Sequence, residues 1–522
     1  MLKSLWRKAC KKSVMAVLSF FLVLNGVYAQ KTHSFPHSAP EAQGVTATAI
    51  DSFLNAVGRS NHEFHSIMIL RHGKVVAEGW WNPYQPTLRH SLYSLSKSFT
   101  STAIGFAINE KLLKLDDKVV SFFPNSLPGK ADPYLAQLSI RNLLSMTAGQ
   151  DPDPTVSLPF KTDDWVKGFL ATPIVHEPGT KFLYNTMATF MLSAVVEKVT
   201  GQKVVDYLKP RLFNQLGIHG EDWEVNNQGI NTGGWGLRLK TEDLAKMGEF
   251  YLQKGEWNGK QLLPKEWIEQ ATSFKIDQAP GAPQSKKDSS DWMQGYCYQF
   301  WRCRHNCYRG DGAFGQYIIV MPDQDAVIAI TSETPDMQGE LNLVWQYLLP
   351  AMHPTALPEN QQADAALQQH LEALSLPPLP ASTASPSIGE LNNKTFTFKS
   401  NKLNIKSINL SFEGQICHVA LTNESAAYKL NFASGKWMGG ETGLQGPSLL
   451  NGAHENFSIL VPYKVEGSYT WVDNNTLQLK LQYIESPHSE IITCHLEGKK
   501  LNATVDYSFA YGKNRIDLPG SD

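Results

Sequence analysis

Residues 93–98 read Tyr93-Ser94-Leu95-Ser96-Lys97-Ser98, within a stretch that runs from His90 through Phe99-Thr100-Ser101 to Asp116-Asp117-Lys118-Val119. It holds the only Ser-x-x-Lys of the chain. On a helix, a spacing of three puts the two side chains on one face, one turn apart. Ser94 is expected in the first turn, where free backbone N–H groups and the helix dipole favour developing negative charge. A lysine one turn on can serve as the general base for a serine hydroxyl if burial keeps it neutral. The tetrapeptide alone carries little weight, since about one or two such matches are expected by composition in a chain this long.

Working outward, the pattern from about 40 to 352 alternates β-rich runs with amphipathic helices. Residues 66–71 and 74–79 form a hairpin joined at His72-Gly73. Helices are expected over 94–111, over 186–199 with Gly201 as C-cap, and over 241–254 with acids in the first turn. Residues 317–321 and 326–331 are strands around the Asp323-Gln324-Asp325 turn. Strands at both ends with helices between them indicate an α+β domain whose terminal strands share one sheet. Residues 353–387, rich in Pro, Ser and Ala around a short Gln/Ala/Leu helix pattern, read as a linker. From 388 to 522 the pattern alternates with period two and is punctuated by turns such as Glu413-Gly414 and Glu497-Gly498. That indicates a separate antiparallel sandwich or small barrel.

The N-terminal 29 residues have a basic start (Lys3, Arg7, Lys8, Lys11, Lys12), an apolar run over 14–23, and Val27-Tyr28-Ala29 before Gln30. This is the layout of a secretory signal peptide, with an apolar run short of the ~20 residues a membrane span needs. The whole chain has 522 residues, 47 Lys+Arg against 49 Asp+Glu, and a net charge of −2. Removing the five basic residues of the leader leaves 42 against 49, a charge of −7. The composition, 42% hydrophobic and 18% charged, excludes a disordered acidic protein and a polybasic nucleic-acid binder. A periplasmic or secreted product, with no permanent span after cleavage, is expected. Five cysteines would remain: Cys297, Cys303, Cys307, Cys417 and Cys494. Pairing of Cys303 with Cys307 and of Cys417 with Cys494 is one option, but connectivity does not follow from sequence. The run from Cys303 through His305 to Cys307 has zinc-ligand types but no clear fourth ligand, so no metal is expected. There is no phosphate loop, no His-Glu-x-x-His and no Gly-x-Ser-x-Gly elbow.

The stretch from His90 to Pro124 resembles the serine β-lactamase and penicillin-binding-protein-like hydrolases, a broad family that includes esterases and 6-aminohexanoate-dimer hydrolases. Ile140-Arg141-Asn142-Leu143-Leu144, Glu177-Pro178-Gly179-Thr180 leading to Tyr184-Asn185-Thr186, and Ala313-Phe314-Gly315-Gln316-Tyr317 agree with it in order. The resemblance covers about 40–350 and implies a β-lactamase-like domain, an antiparallel sheet flanked by helices plus a helical subdomain. It implies Ser94 as nucleophile, with Lys97 and Tyr184 sharing its proton; which of the two is the base is left open. The second motif reads Tyr-Asn-Thr where the family has Tyr-x-Asn, so Asn185 sits one position early and Thr186 occupies the asparagine slot. Asn185 is expected in the site, where its amide would hold either the lysine or the substrate carbonyl. The third motif is laid over Gly310-Asp311-Gly312, with an acid where β-lactam enzymes keep a hydroxyl. Arg309 is the substitute considered for gripping a substrate carboxylate. The oxyanion would rest on the N–H groups of Ser94 and Ala313, with Gly312 beside them.

The reading is therefore a secreted serine hydrolase of small esters or amides that needs no cofactor and binds no nucleic acid. The rivals are a β-lactamase or D,D-peptidase on the same scaffold, and a non-catalytic binding or sensing protein. Acyl preference, oligomeric state and the task of the C-terminal domain do not follow from the sequence.

Overall fold

A computed structural model describes residues 35–521 apart from 128, 130–132, 160, 383–384 and 450–461. The expected signal peptide lies outside the described residues. Among those residues no helix is long and apolar enough to cross a membrane.

The hydrolase part is built on an antiparallel six-stranded sheet. Its strands are β1 (Glu63–Arg71), β2 (Lys74–Trp80), β3 (Trp301–Arg302), β4 (Tyr308–Gly312), β5 (Gln316–Met321) and β6 (Ala326–Glu333), in the spatial order β2-β1-β6-β5-β4-β3. The first and last strands of this part, β1 and β6, lie side by side, with Ile67 opposite Ile330 and Ile69 opposite Ile328. The expected sharing of one sheet by the terminal strands of this α+β part is observed, as is the hairpin at His72-Gly73. Residues of β5 and β6 are buried throughout, which explains why both read as continuous apolar runs. One face is covered by helix α1 (Ala47–Gly58) and the C-terminal helical segment around Val344 and Leu348, which share an apolar core with β1 and β6.

Helix α2 (Ser96–Asn109) follows a single 3-10 turn, Tyr93–Leu95, so Ser94 sits in the turn that opens it. Residues 96–107 are all buried, although half of them are Ser, Thr or Lys. The hydroxyls repay this by fastening neighbouring loops: Ser98 donates to the Gln299 carbonyl, Ser101 to Tyr298 and Thr100 to Gly233. Helix α3 (Thr186–Thr200) ends on Gly201 in the left-handed conformation, as expected, and α4 (Thr241–Leu252) crosses the sheet beside β5 and β6.

The segment read as a linker carries a docked helix, α5 (Gln361–Glu372). Leu367, Leu371, Leu374 and Leu376 join the main apolar core. Leu374 and Leu371 lie so close over Gly79 that a methyl group there would sit 2.6 and 3.0 Å from them. The alternation of Pro and short polar residues marks this segment's turns; its apolar face binds it to the hydrolase.

The C-terminal part is one curled sheet of ten strands between Lys394 and Leu518, antiparallel except for one parallel pairing of residues 433–434 with 468–469. Its two ends meet where Phe398 bridges Gly520, with the Lys399 N–H donating to the Pro519 carbonyl and the Ser521 N–H to the Thr397 carbonyl across the seam. Alternate residues point inward to a separate apolar core containing Leu410, Val419, Leu479 and Ile492. Of the two all-β arrangements expected, the curled, barrel-like one is present. All five cysteines from 297 onward are free and buried, and burial raises the Cys297 thiol to about 12 and Cys303 to about 11.

Candidate active site

Strand β4 approaches the start of α2 closely because it carries glycine at alternate positions. A methyl group on Gly310 would lie 2.5 Å from the Leu95 side chain, and one on Gly312 would lie 2.0 Å from the Leu92 carbonyl oxygen. The strand thus lies against the backbone just before Ser94. The N–H groups of Ser94 and Ala313 are not taken by any backbone carbonyl of the turns and loops among the described residues, and both residues are half-buried. The structure brings Ser94, Lys97, Tyr184, Gly312 and Ala313 into one neighbourhood.

Lys97 is 1% exposed. Its Nζ lies 3.0 Å from Ser94 Oγ, 3.1 Å from Thr186 Oγ1 and 2.8 Å from the Gly234 carbonyl oxygen. Burial pulls the amine down from its ordinary range to about 7, against the opposing charges of Asp153 and Asp311. As an ammonium it donates to all three oxygens. As a neutral amine it keeps one lone pair, to which the Ser94 hydroxyl can donate.

The Tyr184 phenol lies near Ser94, and its ring centre is 4.9 Å from Lys97 Nζ. The ring stacks on Trp301 at 5.6 Å and meets Tyr296 edge-on at 6.2 Å. Burial pushes the phenol upward, with Asp311 adding to the shift. A phenol so placed holds its proton. The two groups left equivalent by the sequence are therefore driven apart, the lysine towards the base and the tyrosine towards the acid. Trp301 belongs to the site; Trp81 belongs to the core.

Asn185 is not turned toward substrate. Its Oδ1 accepts from the Ala188 N–H as the N-cap of α3, and its Nδ2 donates to Gln150 Oε1, in a fully buried setting. The hydrogen-bonding partner of Lys97 is the next residue, Thr186. Its backbone N–H donates to Thr155 Oγ1, which in turn donates to Asp153 Oδ1 at 2.6 Å. The shift of the motif by one position thus divides two duties, capping and holding the lysine, between neighbouring residues.

Arg309 likewise has a different use from the one considered. It is 0% exposed, with Nε and Nη2 on Asp311 Oδ2 at 2.9 and 2.8 Å and Nη1 on the Asp291 carbonyl at 2.8 Å. Trp292 covers its face at 4.3 Å. It neutralises the acid of the third motif and does not face the site.

A pocket opens beside Tyr93, between the two parts of the chain. Tyr93, Trp235 and Arg238 line one side, and Pro447, Tyr463 and Tyr483 the other. The turn at 484–488 docks here: the Ser91 N–H donates to the Glu485 carbonyl, and Tyr84 Oη to the Ser486 carbonyl. Arg89 and Arg238 pair with the Glu485 carboxylate at 3.3 and 3.5 Å. Nothing local in the sequence marks this contact, whose partners lie 247 to 402 residues apart.

The family model for Beta-lactamase matches residues 63–351. The 6-aminohexanoate-dimer hydrolase of Paenarthrobacter ureafaciens is 26% identical over 294 residues, covering 52% of this chain and 73% of that protein. An Escherichia coli K12 protein provisionally named a D-alanyl-D-alanine carboxypeptidase is 23% identical over 237 residues, 40% of this chain and 54% of that one. Among solved structures, a protein from Bacillus anthracis provisionally named a 6-aminohexanoate-dimer hydrolase superposes with a TM-score of 0.51 at 20% identity, over 62% of this chain and 89% of its own.

Proposed function

The chain belongs to the Beta-lactamase family of serine hydrolases, and we propose that it cleaves small esters or amides through an acyl-enzyme on Ser94. The observation that carries this reading is Lys97 Nζ, buried, lowered to about 7 and 3.0 Å from Ser94 Oγ. Ser94 passes its proton to the neutral amine as Oγ attacks the carbonyl carbon. The developing oxyanion is received by the N–H groups of Ser94 and Ala313. The Tyr184 phenol gives a proton to the departing oxygen or nitrogen and is resupplied from Lys97. Water then attacks the acyl ester by the same path in reverse and frees Ser94.

Substrate choice follows from the third-motif strand. Its one cation, Arg309, is paired with Asp311 and covered by Trp292, so nothing on that strand attracts a substrate carboxylate, and the acids nearby oppose one. This favours neutral esters and amides over β-lactams and cell-wall peptides that end in a carboxylate. The similarity to a 6-aminohexanoate-dimer hydrolase supports cleavage of amides.

A fluorophosphonate probe is expected to label Ser94 in the folded protein and to miss Ser94→Ala. With a panel of p-nitrophenyl acyl esters, short amides and nitrocefin, ester or amide turnover should exceed nitrocefin turnover. Absence of an adduct on Ser94 removes the mechanism; efficient nitrocefin turnover reverses the substrate choice. Export to the periplasm or beyond is part of the proposal, on the strength of residues 1–29. N-terminal sequencing of the protein from the periplasmic fraction should begin at Gln30.

A further inference from the structure

His488 belongs to the C-terminal curled sheet, at the turn before the strand Ser489–Glu497, and is 0% exposed. Its Nε2 lies 2.6 Å from Tyr93 Oη and its Nδ1 3.2 Å from Glu333 Oε2. A carboxylate only accepts, so Nδ1 donates to Glu333; in the neutral ring Nε2 accepts from the phenol of Tyr93. Glu333 ends β6 and is held by Ser508 Oγ at 2.7 Å, also from the C-terminal part. Ser448, again from that part, shares the Tyr93 phenol.

The imidazole also meets Phe314 edge-on, with ring centres 4.8 Å apart at 89°. Tyr93 and Phe314 touch each other at 5.5 Å, and Phe509 closes the cluster 4.7 Å from His488. Tyr93 immediately precedes Ser94, and Phe314 immediately follows Ala313. Both are bulky residues in the left-handed region, with φ of +47° and +69°. Such conformations persist only where the surroundings hold them. The two backbone units that point the Ser94 and Ala313 N–H groups are therefore flanked by strained aromatic residues, and one histidine from the other part of the chain touches both.

We propose that His488 is a positioning residue for the oxyanion hole: by bonding Tyr93 and packing on Phe314 it fixes the two N–H groups that receive the developing oxyanion. The C-terminal sheet is then part of the catalytic apparatus. This rests on the acyl-enzyme reading of Ser94 and adds a component to it.

The test uses the full chain with p-nitrophenyl butyrate. His488→Ala is expected to lower kcat by about 10–100-fold with KM within about threefold, since small displacements of a reacting geometry cost that much. Its affinity for phenylboronic acid, which forms a tetrahedral adduct on serine, should fall in parallel with kcat/KM. His488→Gln, which keeps an amide near the Nε2 position, should recover most of the rate. His495→Ala, an exposed histidine of the same sheet bonded only to Thr476, should behave as wild type. If His488→Ala does not fold, Tyr93→Phe keeps the ring and removes the bond, and should lose about 3–10-fold in kcat.

Folded His488→Ala or Tyr93→Phe with wild-type kcat overturns the proposal, as does a rise in KM alone, which marks domain docking or substrate contact. Those results leave the Ser94 reading standing if Ser94→Ala is inactive. Turnover by Ser94→Ala would remove both.

Discussion

Arg309 and Asp311 stand two residues apart on one strand and share a face of it; the guanidinium donates one hydrogen bond from Nε to Asp311 Oδ2 at 2.9 Å and brings Nη2 to 2.8 Å from the same oxygen as an ion pair. The pair is buried within reach of Lys97, yet presents no free cation to a substrate. Removing one partner strands the other. Asp311→Ala should destabilise the fold by about 3–5 kcal/mol, because the buried guanidinium loses its counter-charge. Urea denaturation followed by tryptophan fluorescence measures this, and a loss below about 1 kcal/mol would mean the charge is relieved elsewhere.

The pH profile reports on Lys97. Its amine is lowered to about 7, and only the neutral form accepts the Ser94 proton. The sign is therefore fixed: kcat/KM should be level above pH 8 and fall about tenfold per unit below a midpoint near 7. A profile level down to pH 5 would assign the base to another group.

Thr186 supplies one of three acceptors to that amine. An acceptor favours the charged form, so Thr186→Val should move the midpoint to lower pH and reduce kcat by about tenfold through loss of orientation. Thr186→Ser retains the hydroxyl and should restore both. The paired shift of midpoint and rate in stopped assays across pH separates this from simple loss of packing.

Asn185 makes a contrasting prediction. Its amide caps α3 and satisfies Gln150, so Asn185→Ala should cost about 1–2 kcal/mol of stability. KM and kcat of the folded fraction should stay within a few-fold. A selective rise in KM in steady-state assays would return the residue to substrate binding.

Gly312 tests the approach of strand to nucleophile. A methyl group there would fall 2.0 Å from the Leu92 carbonyl oxygen, closer than atoms approach without bonding. Gly312→Ala must push β4 away from the turn that carries Ser94, and should lower kcat by about 100-fold or more. Fluorophosphonate labelling should slow in step; wild-type labelling would show that the strand does not set the site.

Much of this was open to reading in the chain itself. Short apolar runs bounded by the turns at His72-Gly73 and Asp323-Gln324-Asp325 mark two of the sheet's hairpins, and Ser94 with Lys97 emerges from helical spacing together with the surrounding motifs. The Arg309–Asp311 pair was legible in principle, since residues two apart on a strand share a face. The same residues also fit a strand that grips a substrate carboxylate, and only the fold shows the two side chains turned on each other. Helix α3 begins at Thr186 as its pattern predicts, which makes Asn185 an N-cap by residue type; that Thr186 meets Lys97 depends on how α3 packs against α2, which no local pattern states. His488 had no local signature at all. A polar residue in a turn becomes meaningful only when folding brings it to Tyr93, 395 positions earlier. The apolar face of α5 was equally mute, because leucines spaced four apart do not name the surface they cover.

That docked helix has a consequence for how the protein can be changed. Leu371 and Leu374 are seated over Gly79, and the β-rich part then returns to the nucleophile through the 484–488 turn. A cut after residue 352 would not release a smaller, self-sufficient hydrolase. It would bare an oily groove along β2, leave the phenols of Tyr84 and Tyr93 without their partners, and leave Arg238 with Asp222 alone. Loss of the tail should register first as poor solubility. Exchange of tails between relatives should succeed only when the strap and the turn travel together, as a single inheritable piece.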